Sequence, residues 1–325
     1  MNLSELHDPP HDALSEILEI RADYIAGRSV FVTGDRMAGL LEALGATPED
    51  LEKLKRVSDD LREDPTLPFR RSKNGRFCFD FKDLRAYRLE FQPFALSAEE
   101  DFVRHDSGKA RVFHEIGDDL QQNTALQALF VFKSLMIHGV GTARRPKLDY
   151  DSDIWICTLF NLRTITTPDL VGEPALEGVH SDGVDHTMTT FLGSDNMTDD
   201  SAVTLLHDMQ EQNATRWDET DPRLVLGRRQ HRAFLDTLLV VDHERKHSLS
   251  PVAAADPGRA ATRDMLIFFT RKPALSGHIS HPYDSLRAHE TLPMSVDLRV
   301  IPQNAGPERE RELAASGTAD GAVTR

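Results

Sequence analysis

The chain has 325 residues, 39% hydrophobic and 28% charged, an ordinary globular composition with enough mass for one large domain or two small ones. Its net charge of −15 disfavours a nucleic-acid backbone or an anionic membrane as partner, since both repel a negative surface, but leaves room for a local basic pocket. The two cysteines, Cys78 and Cys157, form no Cys-x-x-Cys pair, so neither a zinc ribbon nor a disulfide framework is expected.

Met1 to Glu5 is acidic and lacks a signal-peptide core, and no apolar run reaches the roughly 20 residues that span a bilayer. A cytoplasmic location is the expectation. Residues 1–62 read as a mostly helical lead-in. Ala13, Leu14, Ile17, Leu18 and Ala22 recur at helical spacing. Asp35 is placed to cap a helix over 36–44 that Gly45 ends, and Thr47-Pro48 reads as an N-cap with proline in the first turn, leading into Leu51, Leu54 and Val57.

Residues 63–301 have a different texture. Phe77, Phe79 and Phe81 alternate with polar or small residues, as strands do, whereas 125–137 is an apolar stretch that reads as a buried helix. Residues 154–165, 187–192, 202–206, 237–241 and 265–269 read as further strands. Short strands separated by turn residues point to a mainly β protein, a sandwich or jelly roll with N-terminal and flanking helices. There is no regular βαβ alternation and no glycine-rich phosphate loop, so a dinucleotide fold is not expected. The polar stretch 210–232 reads as an insertion and a candidate lid, and residues 302–325 have the composition of a disordered tail.

The chemistry centres on His180-Ser181-Asp182. Residues i and i+2 of an extended segment share a face, so His180 and Asp182 can reach one ion. A third ligand must come from elsewhere. His247, beyond the apolar run 238–241, is the leading candidate; His243 competes with it, and His231 is disfavoured by Arg228, Arg229 and Arg232 around it. Two imidazoles and one carboxylate on one face of iron leave positions open for a cosubstrate and oxygen. Arg263 opens another apolar run, Met265 to Phe269. A rival reading takes His243-Glu244-x-x-His247 as a zinc-hydrolase motif, which would need a helix that the strand run before it and Pro251 after it oppose.

At these residues the chain resembles the bacterial 2-oxoglutarate/Fe(II) dioxygenases typified by L-isoleucine 4-hydroxylase. The likeness runs through Pro174-Ala175-Leu176-Glu177-Gly178-Val179-His180-Ser181-Asp182-Gly183, the Arg163 strand before it, the turn from Asp242 through His247 to Pro251, and the Arg263 strand, spanning about Leu67 to Lys272. Ser181, the lack of a Gly-Gly pair near Asn196 and the insertion around Trp217 depart from the family pattern. The resemblance implies a double-stranded β-helix in which His180, Asp182 and His247 hold Fe(II). It implies an ion pair between Arg263 and the distal carboxylate of 2-oxoglutarate, and use of O2 with release of succinate and CO2. The implied reaction is hydroxylation of an unactivated C–H of a free L-amino acid or small derivative. Asp182 fits hydroxylation, because related halogenases have a small residue there. Arg163 and Glu177 are candidates for the substrate carboxylate and ammonium, and Asp185 and His186 for supporting positions near the metal strand. A homodimer is compatible with the family. The alternative in another class is a non-catalytic, cupin-like metal-binding protein.

Overall fold

The computed structural model describes residues 11–100 and 103–300. Helix α1 (His11–Gly27) buries Ile17, Ile20 and Tyr24, one face at three- and four-residue spacing. Strand β1 (Ser29–Val32) follows, then α2 (Gly34–Ala43) and α3 (Pro48–Leu54). Thr33, not Asp35, occupies the N-cap of α2. A Cβ at Gly34 would lie 2.0 Å from the Phe234 carbonyl oxygen, so the chain enters the helix there, and Asp35 sits in the first turn, where a carboxylate suits the helix dipole. Thr47 caps α3 as read from sequence, its side chain accepting the Asp50 N–H. After α4 (Asp118–Gln121), the apolar helix α5 (Thr124–Ile137) is capped by Asn123, which accepts the N–H groups of Ala125 and Leu126.

The strands are β2 (Arg62–Glu63), β3 (Arg70–Asp80), β4 (Arg85–Leu89), β5 (Ile154–Thr166), β6 (His186–Asp195), β7 (Thr204–His207), β8 (Val225–Arg229), β9 (Thr237–Val241), β10 (Lys246–Leu249), β11 (Ala261–Arg271) and β12 (Ser295–Asp297). They form an antiparallel nine-stranded sheet, ordered β1-β9-β6-β11-β5-β3-β4-β12 with β2 on β3, and a three-stranded sheet, β10-β7-β8. The lead-in therefore contributes β1 as the edge strand beside β9, which its helical periodicity did not reveal. The result is the jelly-roll architecture expected from the strand pattern.

Strand alternation divides the large sheet into two chemistries. On β11, Leu266 and Phe268 join the core beneath α1, α2, α3 and α5, whereas Arg263, Met265, Ile267 and Phe269 line a cavity on the opposite face. Phe268 packs edge-to-face on Phe130 of α5, ring centroids 5.9 Å apart. Phe268→Ala is expected to cost about 3–5 kcal/mol of stability, measured by denaturant unfolding.

The stretch 210–232 is only partly an insertion loop, because it contains β8. Its first part braces the backbone that leads to His180. Ala214 N–H donates to the Val179 carbonyl and Val179 N–H donates to the Thr215 carbonyl, both at 2.8 Å. Gly178, at φ +75°, is required there: a Cβ would stand 2.5 Å from Thr215 O. The predicted tail, 302–325, lies outside the described residues. Among the described residues no helix is long and apolar enough to cross a membrane.

Candidate metal and cosubstrate site

His180 and His247 face each other in an antiparallel bridge that continues the small sheet. His180 N–H donates to His247 O at 3.0 Å and His247 N–H to His180 O at 2.9 Å. This pairing brings together two histidines that are far apart in sequence. Their Nε2 atoms lie 3.5 and 3.6 Å from Asp182 Oδ1, and the three side chains offer ligand atoms all within 4.8 Å of one another. Two nitrogen donors and one oxygen donor converging at that spacing would fit one divalent cation of the first transition row, and all three side chains line the cavity.

The charges at the site are arranged for a cation. Burial opposes charge on His180, but the carboxylates of Glu177 and Asp182 outweigh it and hold its pKa up, at about 10. Burial dominates at His247 and pushes its pKa down to about 4. Asp182 is driven the other way, to about 2: the burial penalty is overcome by His247, His180 and the Thr187 hydroxyl. Supporting contacts fix each ligand. His180 Nδ1 is 2.8 Å from Gly178 O, which leaves Nε2 for a metal, and Thr187 Oγ1 donates to Asp182 Oδ2 at 2.6 Å.

The same cavity holds Arg263. The empty space within it and at its open mouth is about 1020 Å3. Arg263 is 4% exposed, and its Nε finds no hydrogen-bond partner among the described residues. Burial lowers its pKa to about 10, the mark of a cation without full compensation. His231 lines the cavity as well. Burial and the nearby Arg263 charge push it down to about 3, so it is a neutral imidazole, with Nε2 3.2 Å from Thr189 Oγ1.

The other predicted site residues divide sharply. Glu177 lines the cavity, its Oε1 3.4 Å from His180 Nε2. Arg163 does not line it, and the proposed contact with a substrate carboxylate is corrected. Phe160 and Leu162 point into the cavity, so Arg163 between strand mates points to the opposite face, where it is opposite Asp264 in register. Two Arg163–Asp264 bonds of 2.7 Å and a third contact to Asp59 at 3.1 Å occupy its guanidinium. His186 is turned away by the same alternation, since Thr187 and Thr189 face the cavity; it takes the Tyr24 hydroxyl at 2.8 Å on the helix side. Asp185 is also outside the cavity, held by Tyr150 OH at 2.5 Å and the Lys272 N–H at 3.2 Å. Arg163→Ala is expected to leave the amino-acid KM unchanged in a succinate-release assay. It should lower stability by about 1–2 kcal/mol in urea unfolding, between the exposed and buried limits for an ion pair.

The zinc-hydrolase reading fails on local structure. Asp242 to Glu244 form one 3-10 turn and Lys246 to Leu249 a strand, so His243 and His247 do not share a helical face. Glu244 is engaged by Arg28 at 2.6 and 2.9 Å and by the Ala143 N–H. Several cavity residues have no role assigned from sequence: Thr187, Arg70, Arg104 and Arg111, and His231, which the sequence offers only as a disfavoured metal ligand. For Thr187 a signal existed, since it stands an odd number of residues before Met188 in an alternating strand. Arg104 and Arg111 come from an irregular segment in which no periodicity operates.

A family model described as 2OG-Fe dioxygenase matches residues 55–269. The bifunctional enzyme flvA of Aspergillus flavus is 48% identical over 286 residues, 88% of this chain and 35% of flvA, so the chain spans about a third of the length of that curated relative. The Fe(II)/α-ketoglutarate-dependent dioxygenase TqaL, a solved structure, is 55% identical with a TM-score of 0.77, covering 89% of this chain and 97% of TqaL. A bsmA homologue from Methylobium petroleophilum, at 18% identity, TM-score 0.64 and coverage of 80% of this chain and 95% of that one, shares the fold. The jelly roll, the two-histidine-one-aspartate cluster and the buried arginine are the arrangement expected of a non-haem iron oxygenase. The chain belongs to the 2OG-Fe dioxygenase family, whose members work with Fe(II), 2-oxoglutarate and O2.

Proposed function

We propose that this dioxygenase hydroxylates an unactivated C–H bond of a free L-amino acid or a small amino-acid derivative. The observation that carries the reading is the lining of one cavity: the His180–Asp182–His247 cluster, the buried Arg263, the carboxylate of Glu177 and a second group of arginines, with aromatic walls between them.

In this reading His180 Nε2, Asp182 Oδ1 and His247 Nε2 hold the ferrous ion. With 2-oxoglutarate and O2 that ion supplies the oxidising power to convert substrate C–H to C–OH as 2-oxoglutarate becomes succinate and CO2. Arg263 binds the distal carboxylate of 2-oxoglutarate. A planar guanidinium matches a carboxylate with two parallel bonds, and the low-polarity surroundings of Met265 and Leu238 strengthen them. Glu177 takes the substrate ammonium. The substrate carboxylate goes to the face formed by Arg70, Arg104 and Arg111, which line the cavity as Arg163 does not, with Asp64 and Asp106 holding Arg70 and Arg104 in place. Arg104 feels the Glu177 charge and Arg111 lies 5.0 Å from the Phe94 ring centroid, so both ends of a zwitterion and an apolar body are provided for. Phe94, Phe113, Phe160 and Phe269 form the wall that orients the apolar part and excludes water.

A mass-spectrometric screen tests it: the purified chain with Fe(II) and 2-oxoglutarate is offered each proteinogenic amino acid, with succinate measured in parallel. A product heavier by one oxygen, formed together with succinate, supports the reading. Succinate release that no amino acid stimulates would remove the amino-acid part.

A further inference from the structure

The metal ligands sit on two segments joined by one buried carboxylate, that of Asp242. Its Oδ1 accepts the N–H of Asp182 at 2.7 Å, and its Oδ2 accepts the N–H of Val184 at 3.2 Å. The residue between those two amides is Gly183, at φ +77°. A left-handed residue there turns successive N–H groups toward one point, making a small concave anion site, and the Asp242 carboxylate fills it. Only glycine serves: a Cβ would meet Glu100 Cβ at 2.7 Å. The Asp242 N–H donates to Asp185 O at 3.0 Å, so three residues of the ligand loop hang on this one side chain and its backbone.

Asp242 directly follows β9 and opens the turn that delivers His247, five residues on. Its carboxyl group is fully buried and is met by Arg145, whose Nη2 donates to Asp242 Oδ2 at 2.9 Å while Nε donates to Val184 O at 2.9 Å. Arg145 is placed in turn by Tyr150, whose hydroxyl accepts the Arg145 N–H at 2.8 Å and donates to Asp185. Neither Asp242 nor Arg145 lines the cavity.

We propose that Asp242 and Arg145 form a positioning clamp that holds Asp182 in ligand geometry against the His247 strand, and so sets metal affinity without touching the metal. The inference rests on the metal reading of the His180–Asp182–His247 cluster. A buried ion pair contributes little net stability over apolar packing, so fixing the loop is the stronger reason for its presence. Loss of a group that orients a ligand typically costs about 10–100-fold in metal affinity.

The test is a Co(II) titration of the metal-free chain followed by calorimetry, with circular dichroism to confirm folding. Wild type should bind one equivalent and His180→Ala none. Asp242→Asn keeps the shape but presents an N–H2 where Val184 N–H and Arg145 need an acceptor. It should bind Co(II) about 10–100-fold more weakly while folded, and a raised Fe(II) concentration should restore its succinate release. Arg145→Lys, which keeps the charge but loses the fork, is the milder variant if Asp242→Asn does not fold, and should weaken binding in the same direction. Folded variants that bind Co(II) within about twofold of wild type would overturn the clamp while leaving the metal site standing. If wild type itself fails to bind, the metal reading falls, and the clamp with it.

Discussion

Asp182→Ala is expected to eliminate metal binding and with it the Fe(II)-dependent release of succinate, a loss of well over a hundredfold given what more distant supporting groups already contribute. The reason is arithmetic at the site. Asp182 is the one carboxylate in the three-ligand cluster, and it stands 3.5 and 3.6 Å from the two imidazole nitrogens. Without it two histidines remain against a divalent ion, with no anionic donor to offset its charge. Calorimetric titration with Co(II) and a succinate assay read the effect separately. Retention of near-wild-type binding would show that another carboxylate, with Glu177 the nearest, carries the site. His180→Ala and His247→Ala should behave alike, which an isolated structural histidine would not.

Arg263→Ala is the second large effect. Removing one partner of a desolvated charge pair costs about 2–5 kcal/mol, so the KM for 2-oxoglutarate should rise at least roughly thirtyfold. The amino-acid KM should move less, because the substrate is assigned to Glu177 and to Arg70, Arg104 and Arg111 rather than to Arg263. Arg263→Lys should recover part of the loss but not the two parallel bonds. The present geometry already points this way. Arg263 is a buried cation with an unpartnered Nε, which a fold would not retain for stability alone. An unchanged 2-oxoglutarate KM in a folded Arg263→Ala variant would move the cosubstrate elsewhere, His231 and Thr189 being the adjoining polar groups.

The fold was legible wherever one physical rule acted alone. Alternation and turn residues marked the strand at 237–241 to the residue, and β5 within one residue of its C-terminal end. The apolar stretch 125–137 is α5 apart from its first residue. Where two rules competed, the sequence misled. Ser29 to Val32 is hidden within a helical lead-in because a four-residue edge strand has too few positions to show a period. Part of 210–232 has the texture of a loop in sequence because β8, Val225 to Arg229, is an exposed edge strand with polar residues on both faces.

The sequence by itself determined which residues would be donors: His-x-Asp on one face of an extended segment, a later histidine, and an arginine opening an apolar strand. Those are local facts about residue type and spacing. Tertiary structure decided which side of the sheet each residue serves, and that depends on parity relative to neighbouring strands. Parity sent Arg163 to Asp264 and His186 to Tyr24 and brought Arg263 into the cavity, whereas His231 reaches the cavity from the connection between β8 and β9. It also decided that Asp242, one acid among many in the sequence, would be the residue on which the ligand loop hangs. A single-residue shift along a strand reverses the face a side chain occupies, and only pairing with other strands fixes that register.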